Sequence, residues 1–375
     1  MSPRFPFDRN RLARLASACA VSALLTSALF AQDGVPRTPS GKPDFSGTYD
    51  IATLTPLTRP REFGDRLFLT KDEADAIVKA QQDRVALGAA PSDPDREAPP
   101  EGGAPPVGLD DSFLTAFGAG NTGGYNNFWV DQGEAVFEID GKFRTSIIED
   151  PKNGQFPGFK PAGIASIRKA VEDYARPNDG TAFWMDWPGP GPYDDPESLS
   201  YADRCLLAFG SSAGPPMLPS LYNNHKRLVL TDDHLMILNE MVHDVRVVRI
   251  DDEHDPDDIR RWLGDAVAHW EGDTLVIETR NFRDETGMFG GTRTLEVTEK
   301  FSFLNDSDLL YEFTVNDPNA WQAPWSGSYA WPRSPNKVYE YACHEGNYAM
   351  GGILRGAPVL EKDAMKAKED GESDD

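Results

Sequence analysis

The apolar positions of this chain change pattern near residue 226. Before it they come as isolated stretches separated by long polar or Pro/Gly-rich segments. After it they come as short runs closed by turns. The first stretch, uncharged from Leu15 to Phe30, stands behind Arg4, Arg9, Arg11 and Arg14. A basic segment, a short Ala/Ser-rich apolar run and small residues at Ala28 and Ala31 are the layout of a signal peptide, which we expect over residues 1–31. Thr70 and Glu73 are spaced as a capping box, and Ala74, Ile77, Val78 and Val85 then share one helical face. Ile164, Ile167, Val171 and Tyr174 mark a second helix. Ala135–Ile139 and Phe143–Ile148 flank Asp140-Gly141, a type I′ hairpin signal. Residues 88–110 and Trp187–Pro196 read as loops.

From Lys226 onward the runs Arg227–Thr231, His234–Ile250, Leu275–Thr279, Arg293–Phe303, Leu309–Val315 and Val338–Cys343 have strand composition, with turn residues between them. Sequential strands on short turns predict an antiparallel meander, and a curved meander removes its edges by closing. The expected fold is mainly β: an antiparallel lipocalin-like β-barrel with helical and irregular excursions in the N-terminal half. The expected domain spans 32–360, irregular or helical over 50–200 and a strand meander over 226–345. A disordered acidic tail is expected over 361–375.

Charge and cysteine content sharpen this picture. Without residues 1–31, which hold four arginines and Asp8, 33 basic and 60 acidic side chains remain, a net charge of −27. That excess excludes nucleic acid as a partner, and no second apolar run approaches membrane length. With Cys19 in the leader, Cys205 and Cys343 are the two cysteines left, and export makes a disulfide the expected pairing. The chain is therefore expected to be periplasmic or secreted. Its oligomeric state is not indicated.

The candidate chemistry concentrates in 235–250. Read as one strand, Leu235, Ile237, Asn239, Met241, His243, Val245 and Val247 share a face, and Glu240, Asp244 and Arg246 stand on the other. Polar groups on both faces suit a strand that lines a ligand cavity. His243 is the candidate base, and Glu240, Asp244 and Arg246 orient it or stabilise charge. Glu299 shares a face with Leu295, Val297, Phe301 and Phe303 and is a candidate carboxylate at the cavity edge. Tyr125, Trp129, Trp270 and Trp325 are candidate stacking surfaces for an apolar or sugar ligand, and Asn126, His344 and Glu345 are further candidate binding residues. No metal-ligand spacing and no cofactor motif occurs, so none is expected. Gly210-Ser211-Ser212-Ala213-Gly214 matches G-x-S-x-G, which makes Ser212 a nucleophile only within a strand–elbow–helix.

The segments Gly41-Lys42-Pro43-Asp44-Phe45-Ser46-Gly47, Glu240-Met241-Val242-His243-Asp244, Trp270-Glu271-Gly272-Asp273-Thr274-Leu275 and Glu340 to Met350 together resemble an uncharacterised family of exported bacterial proteins. Gly47-Thr48-Tyr49 is similar to the G-x-W start of lipocalin-like barrels. The resemblance implies an exported protein with a β-rich body and brings no activity. The expected function is binding of an apolar or aromatic small molecule in a barrel pocket, with cofactor-independent lyase, isomerase or hydratase chemistry. The alternatives are a non-catalytic carrier or envelope interaction module, and a serine hydrolase acting through Ser212.

Overall fold

The computed structural model describes residues 34–88, 131–175, 180–208 and 210–372. The expected signal peptide and the candidates Tyr125, Asn126 and Trp129 lie outside the described residues. Contacts divide the chain at Val35, and everything below belongs to the unit that begins at Pro36.

A ten-stranded sheet dominates the molecule. Its strands are β1 (Gly47–Asp50), β4 (Ile148–Asp150), β5 (His225–Leu230), β6 (His234–Asn239), β7 (Val245–Ile250), β8 (Asp265–Glu271), β9 (Thr274–Arg280), β10 (Glu296–Phe303), β11 (Leu309–Asn316) and β12 (Trp325–Trp331). They follow the order β1-β5-β6-β7-β8-β9-β10-β11-β12-β4 and curl into a half-barrel. Every pairing is antiparallel except β7 with β8, which run parallel and meet only at Arg249–Val267 and Ile250–Ala268. The meander is thus not antiparallel throughout. The long acidic loop between β7 and β8 carries the chain back to start β8 in the same direction. The edge of β1 also touches the segment after β12: Asp50 N donates to Pro332 O at 3.0 Å and Ser334 N to Thr48 O at 2.8 Å.

Period-two burial gives the sheet one buried face. In β10, Val297, Glu299 and Phe301 are buried while Glu296 and Lys300 are not. The inner face of the sheet is filled by aromatic rings. Tyr311 lies 4.7 Å from Trp331 and 5.1 Å from Phe301, and Phe45 lies 6.3 Å from Phe301. Helix α1 (Lys71–Gly88) starts on the expected box, with Thr70 N donating to Glu73 Oε2 at 2.8 Å. The hairpin of β2 (Glu138–Ile139) and β3 (Lys142–Phe143) turns on Asp140 and Gly141, at φ 52 and 73. Helix α2 (Pro161–Ala175) is tied to the loop before β10, where Ser166 Oγ donates to Gly291 O at 2.7 Å.

Three expectations are corrected at the C-terminus and in the strand richest in candidates. Residues 338–342 form no strand. The chain there is irregular and then enters α3 (Cys343–Gly346). The acidic tail is not disordered as far as Glu372, because it continues α4 (Tyr348–Glu372), held where Trp184 Nε1 donates to Glu361 at 2.7 Å. His234–Ile250 is two strands, β6 and β7, broken by a tight reversal at Met241–His243 with Val242 at φ 57 and His243 at φ 47. Cys205 and Cys343 are bonded, with Cα atoms 5.8 Å apart.

Candidate functional site

The reversal at 241–243 decides which side chains meet. Along β6 the odd residues Leu235, Ile237 and Asn239 point inward. Along β7 the even residues Arg246, Val248 and Ile250 do. A single uninterrupted strand would keep one parity, so the turn swaps the faces expected for Arg246 and His243. A β-branched residue at positive φ costs on the order of 1–3 kcal/mol. Met241 and Val242 recover burial by packing with Ala208 and Ala213.

Arg246 consequently enters the interior and forms a bidentate pair with Glu299, at 2.9 Å to Oε1 and 2.5 Å to Oε2. Both side chains are almost fully buried. Burial opposes the guanidinium charge, but the Glu299 contact outweighs it and holds the Arg246 pKa above its ordinary value. Tyr311 donates its hydroxyl to Glu299 Oε1 at 2.7 Å, and burial together with Glu299 pushes the phenol well above its usual range. Glu299 is therefore not a cavity-edge acid. It is the anion at the centre of a buried network.

That network holds a segment of the chain itself. Met217 N donates to the Tyr311 hydroxyl at 2.9 Å, Tyr329 donates to Met217 O at 2.8 Å, and Lys226 Nζ donates to Ser212 O at 2.8 Å. Residues 211–218 fill the interior as a plug. Ser212 is buried in it, and the segment that follows carries no helix, so the G-x-S-x-G pattern lacks its elbow. Lys226 is fully buried, and burial pulls its ammonium down to about 7. Sequence reasoning missed it, although a lysine among alternating apolar residues in Lys226–Leu230 was the available signal.

The parallel contact between β7 and β8 is only two residues long, so Asp244–Val248 has no ladder partner on its β8 side. A cleft of about 510 Å³ opens there in the wall. Leu206, Leu207, Trp262 and Leu263 supply apolar surface, and the outward-facing Val245 and Val247 are 45% and 55% exposed. Asp244, just before β7, and Arg246, whose side chain turns inward, also line it. Burial pushes the Asp244 carboxyl up to about 6, against the Ala208 N–H that donates to its Oδ2 at 3.0 Å. Across the cleft, Asp265 accepts from Arg249 at 2.9 Å, His254 at 2.9 Å and Arg261 at 3.0 Å. Burial would raise that carboxyl, yet Arg249, the Asp255 N–H and His254 hold it at about 2.

The other expected residues lie elsewhere. His243 is exposed outside the cleft, with Nδ1 3.0 Å from Tyr341 O. Glu240 turns away from the cleft to His225, whose Nδ1 stands 3.2 Å from Oε2. Burial alone would raise Glu240, but the His225 bonds take it below the usual carboxylate range. The same bond raises His225. Trp270 stacks on Phe45 at 5.7 Å, and Trp325 is buried edge-on to Phe156 at 5.0 Å, so both are packing residues. His344 and Glu345 are exposed on α3, and among the described residues no His/Cys/Asp/Glu group is arranged to hold a metal. A second cleft, about 570 Å³, lies along the disulfide between Tyr222 and Asn347. Comparison of the chain with family models, curated proteins and solved structures finds no match.

Proposed function

We propose that this is an exported protein that binds an apolar or aromatic small molecule in the wall cleft. It moves a proton on that molecule with Asp244, as a cofactor-independent lyase, isomerase or hydratase would. The observation that carries the reading is a carboxyl pushed up to about 6 at a cleft of about 510 Å³ whose apolar surface comes from Leu206, Leu207, Trp262 and Leu263. That volume suits a small organic ligand, and a carboxyl near neutrality can both take and return a proton. Across the cleft, Arg249 and Arg261 stand beside Asp265 and supply positive charge for an oxygen that becomes anionic. Two further expectations accompany the reading. The bonds from Asp50 and Ser334 across to the far end of the chain support a closed barrel of lipocalin type. The disulfide supports an oxidising compartment.

The test is to extract small molecules from protein exported to a periplasm and identify them by mass spectrometry. Wild type, Val247→Trp and Asp244→Asn are compared. Val247→Trp fills the cleft and should remove the extracted compound. Asp244→Asn should retain a compound that differs from the wild-type one by a proton shift or a water. An unchanged set of compounds in Val247→Trp overturns the site. The same compound in wild type and Asp244→Asn identifies a carrier.

A further inference from the structure

The geometry points to a second catalytic centre on the outer face of the sheet, a serine esterase site in which Ser334 is the nucleophile, His225 the base and Glu240 its positioning residue. His225 opens β5, Glu240 follows β6, and Ser334 lies beyond β12, with its backbone N tied to Thr48 O at 2.8 Å. The serine and histidine are 109 residues apart in sequence. The sheet nevertheless places Ser334 Oγ 3.2 Å from His225 Nε2 and Glu240 Oε2 3.2 Å from Nδ1.

The proton positions follow from the partners. An ionised carboxylate only accepts, so Nδ1 carries a proton toward Glu240 and the neutral ring leaves Nε2 as an acceptor. Ser334 Oγ already accepts from Asn336 N at 3.2 Å, which leaves its own hydrogen to point at Nε2. This is the order of roles that activates a serine: hydroxyl, acceptor nitrogen, orienting carboxylate. A structural ion pair needs Glu240 and His225 alone. It does not need a half-buried hydroxyl on the second ring nitrogen.

In the reaction, Oγ adds to an ester carbonyl carbon while its proton moves to Nε2. The carbonyl oxygen becomes anionic. Collapse breaks the bond to the alcohol oxygen, which leaves with the proton from Nε2, and the acyl group stays on Ser334. Water then gives a proton to Nε2 and adds to the acyl carbon. Release of the carboxylic acid restores Ser334. Asp50, whose carboxylate lies 4.0 Å from Nε2, and Glu240 surround the ring with negative charge. The substrate class is therefore an uncharged or cationic ester, not an anionic one.

The experiment treats the exported chain, disulfide intact, with a fluorophosphonate and locates the adduct by peptide mass spectrometry. Hydrolysis of p-nitrophenyl acetate is followed in parallel. Ser334 should carry the adduct, and Ser334→Ala should abolish both labelling and turnover. His225→Gln should slow labelling by about 10²–10⁴-fold. Glu240→Gln should slow it and move the rising limb of the pH profile to lower pH, a shift that a purely structural pair would not produce. Ser334→Cys, nearly the same size, should fold and be alkylated by iodoacetamide faster than free cysteine. Folded protein without an adduct at Ser334, or an adduct confined to Ser212, overturns the proposal. The cleft reading stands or falls separately, on the extracted compounds.

Discussion

Replacing Glu299 by Gln tests whether the buried pair organises the interior. The carboxylate makes two bonds with Arg246, at 2.9 and 2.5 Å, and accepts the Tyr311 hydroxyl at 2.7 Å. A glutamine keeps the volume and still accepts from Tyr311, so the variant removes the charge and little else. Arg246 then keeps a neutral bond from Nη1 to the amide oxygen and Thr279 Oγ1 at 3.4 Å, but it loses the second bond and its counter-charge, and its Nε has no partner. Breaking a buried ion pair from one side costs about 3–5 kcal/mol. At about 1.4 kcal/mol per decade, the folded-to-unfolded ratio drops by roughly two to three and a half powers of ten. The assay is urea unfolding followed by far-UV circular dichroism and tryptophan fluorescence, with the disulfide intact in both proteins. The double variant Arg246→Met with Glu299→Met should recover most of the loss, because it removes both charges at once. A cost below about 1 kcal/mol for Glu299→Gln, within reach of an ordinary substitution, would refute the reasoning. So would a double variant as unstable as the sum of its singles.

Four other outcomes follow from the same geometry. Cys205→Ser with Cys343→Ser opens a loop of 138 residues, worth about 5 kcal/mol in the chain-entropy account, and should lower the melting temperature by many degrees relative to the oxidised protein. Asp244 has a folded pKa raised from 3.8 to about 6, so it binds protons more tightly when folded; stability from this group falls as pH rises through that window, and Asp244→Asn should flatten the slope in a pH series of urea midpoints. Lys226 is lowered from 10.5 to about 7, so its contribution to stability rises with pH between those values, and Lys226→Met should remove that rise in the same series. His243 is exposed and outside the cleft, so His243→Ala should leave the extracted compounds unchanged and shift stability by about 0.5 kcal/mol at most.

Strand composition and turn residues made most of the sheet legible, since the Leu-Val-Ile run of β9 and the period-two apolar and aromatic positions of β10 and β11 declare strands without help from the rest of the fold. The strands that escaped have other reasons to be strands. β8 begins Asp-Ala-Val-Ala-His, and nothing in that composition favours extension. It is held there by seven register partners in β9. β12 carries Ser326, Gly327 and Ser328 between tryptophans. A Cβ at Gly327 would meet Ile147 O at 2.5 Å, so glycine there answers to the close approach of β4 and not to a loop. The reverse error, a strand over Val338–Cys343, arose because Tyr339, Tyr341 and Cys343 alternate as a strand does. That period belongs instead to a segment bound to the disulfide and to the cluster of Tyr222 and Leu263.

The candidate site was legible by residue type but not by direction, and a single turn accounts for the difference. Arg246, Asp244, Glu240 and Glu299 were each picked out as ionisable groups in apolar surroundings, and each is wholly or partly buried. Periodicity alone assigned their faces on the assumption of one continuous strand. Nothing in Glu240-Met241-Val242-His243-Asp244 announces a reversal, because valine is among the residues least suited to φ 57. The reversal is imposed by tertiary contacts, namely the burial of Met241 and Val242 against the plug and the return of Glu240 to His225. Its consequence is that one short pentapeptide distributes its groups to three places. Glu240 goes to the His225–Ser334 chain, Asp244 to the wall cleft and His243 to the surface, while Arg246, two residues on, enters the core. A pattern that read as one dense catalytic strand is thus a branching point, and its ionisable residues serve separate environments whose chemistry differs because their burial differs.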